Sequence, residues 1–146
     1  MKRLDGQSAA TLLAGLVHRG LPDRAKGATA PVARFVPLLD IAALDEWFSR
    51  SNQHAVTLFL HDPGCPISAH AYRQMARVDA EIPLVDVRSG RLMTEAIKTR
   101  TGVRHESPQV LVLHRGRAVW SASHYGIKTV AVEEARRHVE SNEPGT

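Results

Sequence analysis

Cys65 is the only cysteine among 146 residues, and it stands in Gly64-Cys65-Pro66-Ile67-Ser68. An apolar run, Ala55 to Leu60, precedes it and reads as a buried strand. His61-Asp62-Pro63-Gly64 turns the chain, and Cys65-Pro66 opens a helix expected to run to about Val78. Proline suits the first helical position, where its missing N–H costs nothing. A helix N-terminus offers unpaired N–H groups and partial positive charge, so a thiolate placed there is stabilised. Its pKa falls below the free value of about 8.5, which makes it the nucleophile of thiol–disulfide exchange. Ser68, three residues on, is expected to turn its N–H and hydroxyl toward the sulfur. It occupies the second position of a C-x-x-C pattern, where a hydroxyl cannot close a disulfide. The thiol must then accept an adduct alone and be released by an external thiol. The competing reading is a buried, inert cysteine; the preceding strand, Pro66 and Ser68 together favour reactivity.

The lone thiol also excludes function classes. It cannot form an internal disulfide or a four-cysteine zinc site. No second cysteine exists to resolve a sulfenic acid, which argues against a peroxidase. His61, Cys65 and His70 are near in sequence but lack the spacing of a zinc site. His61 and Asp62 are expected to exert only a mild electrostatic influence on the thiol. No phosphate-binding loop, nucleophile elbow or dinucleotide fingerprint occurs.

The elements around this segment form a regular series. Ala33 to Leu38 reads as a strand. Asp40 is an N-cap for a helix carrying Ile41, Leu44, Trp47 and Phe48, with Asp45 and Glu46 near its start. After the cysteine helix come a strand over Ile82–Val87 and a helix over Leu92–Thr101 that ends near Gly102. Val110–Leu113 and Ala118–Ser121 form a hairpin about Arg115-Gly116, and Thr129 caps a last helix to roughly Val139. The order β-α-β-α-β-α-β-β-α is α/β, a mixed sheet with helices on both faces and an antiparallel edge. With a cysteine opening the helix after the second strand, it is the plan of a thioredoxin-like fold. Ser107-Pro108 leads the fourth strand, which suggests a cis peptide bond over an ordinary trans proline; the resemblance to thioredoxin-like folds implies that this proline lies beside the cysteine and that the backbone before it pairs with an extended thiol substrate.

Apolar residues make up 43% and charged residues 23%, the composition of a globular chain of one domain. The net charge is +4, yet residues 1–32 hold five basic and two acidic residues against 14 and 13 in the remainder. The excess lies in the first segment, which reads as a loosely structured extension or short helix, with residues 33–146 as the thioredoxin-like domain. Few aromatics and no dense basic run argue against nucleic-acid binding. No uncharged apolar run reaches the roughly 18–20 residues of a membrane helix, and Asp5, Arg19, Asp23, Arg24, Lys26 and Pro31 argue against a signal peptide. The expectation is a cytoplasmic protein.

Over about residues 33–140 the chain resembles the monothiol bacilliredoxin family. The resemblance rests on Cys65-Pro66-Ile67-Ser68, on Gly102 through Val103-Arg104-His105-Glu106-Ser107-Pro108-Gln109-Val110 to Leu111, and on Gly116, Ala118-Val119-Trp120 and Ala122-Ser123-His124. Two positions depart from it: Gly64 stands where the family has threonine, and Tyr125 where it has an aromatic, commonly tryptophan. Gly64 is expected to loosen the loop.

The resemblance implies removal of bacillithiol from protein mixed disulfides, through a Cys65–bacillithiol intermediate that a second thiol reduces. It implies no bound cofactor, with bacillithiol, a low-molecular-weight thiol, as cosubstrate and bacillithiolated client proteins as partners. Cys65, Pro66 and Ser68 would be catalytic. Gly64, Ile67, Arg104, His105, Ser107, Pro108, Ser123, His124 and Tyr125 would bind substrate, with Arg104, His105 and Lys128 available to the malate carboxylates of bacillithiol. The alternatives are a non-catalytic binding module or redox sensor that carries a small thiol or an iron–sulfur cluster on Cys65.

Overall fold

The computed structural model describes residues 32–144. The extension expected over residues 1–32 therefore lies, apart from Val32, outside the described residues. Strands β1 (Arg34–Pro37), β2 (Val56–His61), β3 (Glu81–Asp86), β4 (Gln109–His114) and β5 (Arg117–Ser123) form one sheet in the order β1-β3-β2-β4-β5. Helices α1 (Ile41–Arg50), α2 (Pro66–Met75), α3 (Arg91–Thr101) and α4 (Thr129–Ser141) connect and close it. β3 pairs in parallel with β1 and β2, while β4 pairs antiparallel with β2 and β5. The expected series of elements is present. The cysteine helix ends at Met75 rather than Val78, and both hairpin strands extend further than expected.

The central strand has apolar residues on both faces because helices cover both. Leu58 and Leu60 pack with Leu44, Trp47, Met93 and Ile97 from α1 and α3. Phe59, between them, points the other way and packs with Ala71, Met75 and Val132 from α2 and α4. β2 and the helix that follows it are thus held from both sides, and the Cys65 turn leaves the middle of the sheet.

Asp40 caps α1 as expected, its carboxylate accepting the Ala43 N–H at 2.8 Å. Asp45 and Glu46 fall in the second turn, so no acidic residue occupies the first. The hairpin turn places both Arg115 (φ 52°) and Gly116 (φ 74°) in the left-handed region, as a two-residue hairpin loop demands. The Arg115 and Gly116 amides are tied to the Ser51 carbonyl and hydroxyl at 2.7 and 2.9 Å.

Thr129 does not cap α4; Lys128 occupies the cap position without a side-chain bond. The Thr129 hydroxyl donates instead to the Gln74 carbonyl (2.8 Å), and its N–H donates to Gln74 Oε1 (3.0 Å). A first-turn donor of α4 is thereby satisfied by α2 rather than locally. Gln74→Ala, which strands that amide, is expected to cost about 1 kcal/mol, read from the urea-unfolding midpoint. No described helix is long and apolar enough to cross a membrane.

Candidate active site

Cys65 is the N-cap residue of α2, with extended backbone (φ −102°, ψ 127°) and Pro66 at the first helical position. Its N–H donates to the Asp62 carbonyl and its carbonyl accepts the Ala69 N–H, both at 3.0 Å. The turn and the first helical turn are thus closed by backbone bonds. The side chain is half-buried and makes no capping bond of its own. With proline next, the amides of Ile67 and Ser68 are the first-turn donors available to a thiolate here.

The Ser68 hydroxyl, expected to face the sulfur, is engaged by the turn instead. Ser68 is fully buried, and its hydroxyl accepts the Asp62 N–H at 3.1 Å. That amide lies just past the end of β2, where ladder pairing stops, and needs an acceptor. Ser68 therefore braces the turn that carries Cys65. Nor is the Gly64 loop loose: the Gly64 N–H donates to Asp62 Oδ1 at 2.8 Å. That carboxylate also meets Arg88 from the β3–α3 connection, Nε to Oδ1 being 3.4 Å. Arg88 gave no signal in the sequence. It reaches the turn only because β3 lies beside β2 with Asp86 in register with His61.

His61 stacks obliquely against Phe59 (5.3 Å between centroids) and Tyr72 (5.7 Å). Burial holds its pKa below the ordinary 6.5, outweighing Asp86 and Asp62, which raise it, while Arg88 lowers it further. The unfolded chain takes up this proton near pH 6.5 and the folded protein only at lower pH. The resulting stability is present above pH 6.5 and is lost as pH falls through the folded value. His61→Phe is expected to lose less stability than the wild type between pH 7 and 5, compared by urea midpoints at the two pH values. His61 also lines a cavity of about 640 Å³ between the ends of β1 and β3 and the starts of α1 and α3, with Leu39 and Leu92 exposed at it.

The other flank is formed by the ends of β4 and β5. The Ser107–Pro108 peptide is cis, as expected. Leu60 pairs with Gln109 and Gln109 with Ser123, so the Cys65 turn, Pro108 and the Ser123–Tyr125 segment leave the same end of three adjacent strands. The buried Gln109 side chain fastens the approach to Pro108: its Nε2 donates to the Arg104 carbonyl (2.9 Å) and its Oε1 accepts the Glu106 N–H (3.4 Å).

His124, at φ 52°, opens a short 3-10 turn, His124–Gly126. Its N–H donates to the Pro108 carbonyl (3.0 Å) and its Nδ1 lies 3.6 Å from Glu106 Oε2. Tyr125 meets His70 on the second turn of α2, centroids 5.6 Å apart, so His70 faces an aromatic ring. Ile67 is half-buried, while Arg104, His105 and Lys128 are exposed. None of these three basic side chains forms an ion pair among the described residues. The Ser107 hydroxyl is the one buried side-chain polar atom among the described residues with no hydrogen-bond partner. Among the described residues no group of three or more histidine, cysteine, aspartate or glutamate side chains is arranged to hold a metal ion.

A lone cysteine at the N-cap of the helix after a central strand, with a cis proline at the same end of the sheet, is the arrangement of a thioredoxin-fold protein with a single thiol. Solved structures agree on the fold. The chain is similar to a protein assigned as an oxidoreductase with a thioredoxin fold, at 29% identity and TM-score 0.64, over 71% of this chain and 93% of the other. It is also similar to a point mutant of thioredoxin from Halobacterium salinarum (18% identity, TM-score 0.57, 81% and 100% covered). Thioredoxin from Trypanosoma brucei brucei is similar at 9% identity (TM-score 0.57, 79% and 98% covered). The family model described as monothiol bacilliredoxin BrxC matches residues 36–132. The chain belongs to the monothiol bacilliredoxin family, and thiol redox chemistry is its function class.

Proposed function

We propose that the protein removes bacillithiol from protein mixed disulfides. The Cys65 thiolate attacks the bacillithiol sulfur of the mixed disulfide. The client–bacillithiol S–S bond breaks as the Cys65–bacillithiol S–S bond forms, and the client sulfur leaves as a thiolate that takes a proton from water. A second thiol then attacks the adduct, carries bacillithiol away as a new disulfide and returns Cys65 to the thiolate. Two electrons enter with that second thiol, and none comes from a bound cofactor.

The observation that carries this reading is the placement of one half-buried cysteine at the N-cap of α2. The residue at the second position of the motif is a buried serine engaged with Asp62, which cannot resolve an adduct. The family supports bacillithiol as the thiol. In this reading Pro66 shapes the helix start and Ser68 the turn. Gly64, Ile67, Ser107, Pro108, Ser123, His124 and Tyr125 border the adduct, and Arg104, His105 and Lys128 supply basic groups for carboxylates. Bacillithiolated proteins of the cytoplasm are the clients.

The test is a single-turnover transfer. A model protein carrying one bacillithiol mixed disulfide is mixed with an equal amount of the reduced protein, and both are weighed by mass spectrometry. Bacillithiol should leave the client in step with its appearance on Cys65. A client that keeps its bacillithiol would contradict the proposal.

A further inference from the structure

We infer that Arg88 is a positioning residue for Cys65, acting through Asp62, and that Gly64 is the residue that makes room for it. The inference rests on the proposed role of Cys65 as nucleophile and adds a determinant of its reactivity from outside the motif.

The geometry begins with the sheet. His61 and Asp86 are partners in the parallel pair β2–β3, so the two chain ends leave side by side. The Arg88 N–H donates to Asp86 Oδ1 (3.0 Å), which fixes the bend after β3. The guanidinium then turns toward the neighbouring turn, with Nε 3.4 Å from Asp62 Oδ1 and 3.7 Å from Asp86 Oδ1. The same Asp62 oxygen accepts the N–H of Gly64, the residue before the nucleophile. One carboxylate oxygen thus joins the Cys65 turn to a cation from another loop.

Gly64 is part of the arrangement. A Cβ at this position would lie 3.3 Å from Arg88 Nη1 and 3.4 Å from Asp62 Oδ1. A side chain there is a tight fit, and the guanidinium must give by a few tenths of an ångström at its contact with Asp62. The absence of a side chain at Gly64 thus leaves the Arg88–Asp62 contact uncrowded.

The consequence for Cys65 is electrostatic as well as geometric. Asp62 is a negative charge three residues before the thiol, and without a counter-charge it opposes thiolate formation. The other charged or titratable groups on neighbouring elements include His61, Asp86, Tyr72 and His70 on α2, Tyr125, the exposed Arg104, His105 and Lys128, and Glu106 with His124, which lie 3.6 Å apart. Arg88 is the cation in contact with Asp62. As an exposed ion pair it adds little to global stability. Its effect is on the rotamer of Asp62 and on the charge beside the turn.

The experiment measures exchange with 2-hydroxyethyl disulfide, an uncharged probe, as a function of pH, with thermal melts confirming that each variant is folded. R88A should slow exchange roughly three- to tenfold at pH 7 and move its pH–rate profile upward, because Asp62 is left uncompensated. R88K should recover part of the rate. D62N/R88A, which removes both charges, should return the profile toward that of the wild type. G64A should move the rate and profile in the same direction as R88A but by less, and should add little in the R88A background, where no guanidinium remains to be crowded. An unchanged rate and profile in R88A, or independent multiplication of the G64A and R88A effects, would overturn the inference. A wild-type protein that does not react at Cys65 at all would overturn the nucleophile reading instead, so the two failures are distinguishable.

Discussion

Cys65→Ser is expected to abolish thiol–disulfide exchange while leaving the fold in place. The loss should be on the order of a thousandfold or more, down to the rate of the uncatalysed reaction, because a serine hydroxyl is not ionised near neutral pH and no other thiol exists in the chain. The fold should tolerate the change. The Cys65 side chain is half-buried and makes no capping bond, and the backbone bonds that close the turn do not involve it. Serine is moreover a favoured N-cap, so α2 loses nothing at its start. The measurement pairs the exchange rate with a thermal melt: unchanged melting and no exchange is the expected result. Exchange that survives in the variant would contradict any mechanism based on this thiol.

The largest effect on stability is expected from Phe59→Ala, at about 3–5 kcal/mol. Phe59 is fully buried in the centre of β2 and packs on the face covered by α2 and α4. Its ring lies 6.3 Å from Phe35, 6.4 Å from Tyr72 and 5.3 Å from His61, so its removal empties the middle of an aromatic cluster. These neighbours come from β1, α2 and the end of β2 and cannot collapse together without moving strands. The loss should appear as a fall in melting temperature of more than about 10 °C. Because Phe59 stands six residues before Cys65 on the strand that launches the turn, exchange should also weaken in the folded fraction. A shift of only one or two degrees would contradict this account of the core.

How far the sequence revealed these features follows from how local each one is. The apolar run into β2, Pro66 after Cys65 and the proline before β4 are signals confined to a few residues, and the structure places each as expected. Asp40 is equally local, with its carboxylate three residues from the amide it caps. The relations that were not legible cross between elements. The Ser68 hydroxyl accepts the Asp62 amide because the strand end leaves that amide without a partner. Arg88 reaches the Cys65 turn only because β3 is inserted between β1 and β2. Thr129 bonds to Gln74, 55 residues away, and so cannot be read as anything but a cap from its own neighbours. Gly64 is the instructive case: read locally it is a source of looseness, but in three dimensions it lies against a guanidinium that a Cβ would crowd.

The most direct test of the central claim is the intact mass of the reduced protein after incubation with oxidised bacillithiol, with glutathione disulfide in parallel. The account predicts a single adduct, located on Cys65 and formed much faster with bacillithiol. Absence of an adduct with either disulfide would contradict it, leaving Cys65 a thiol that does not exchange.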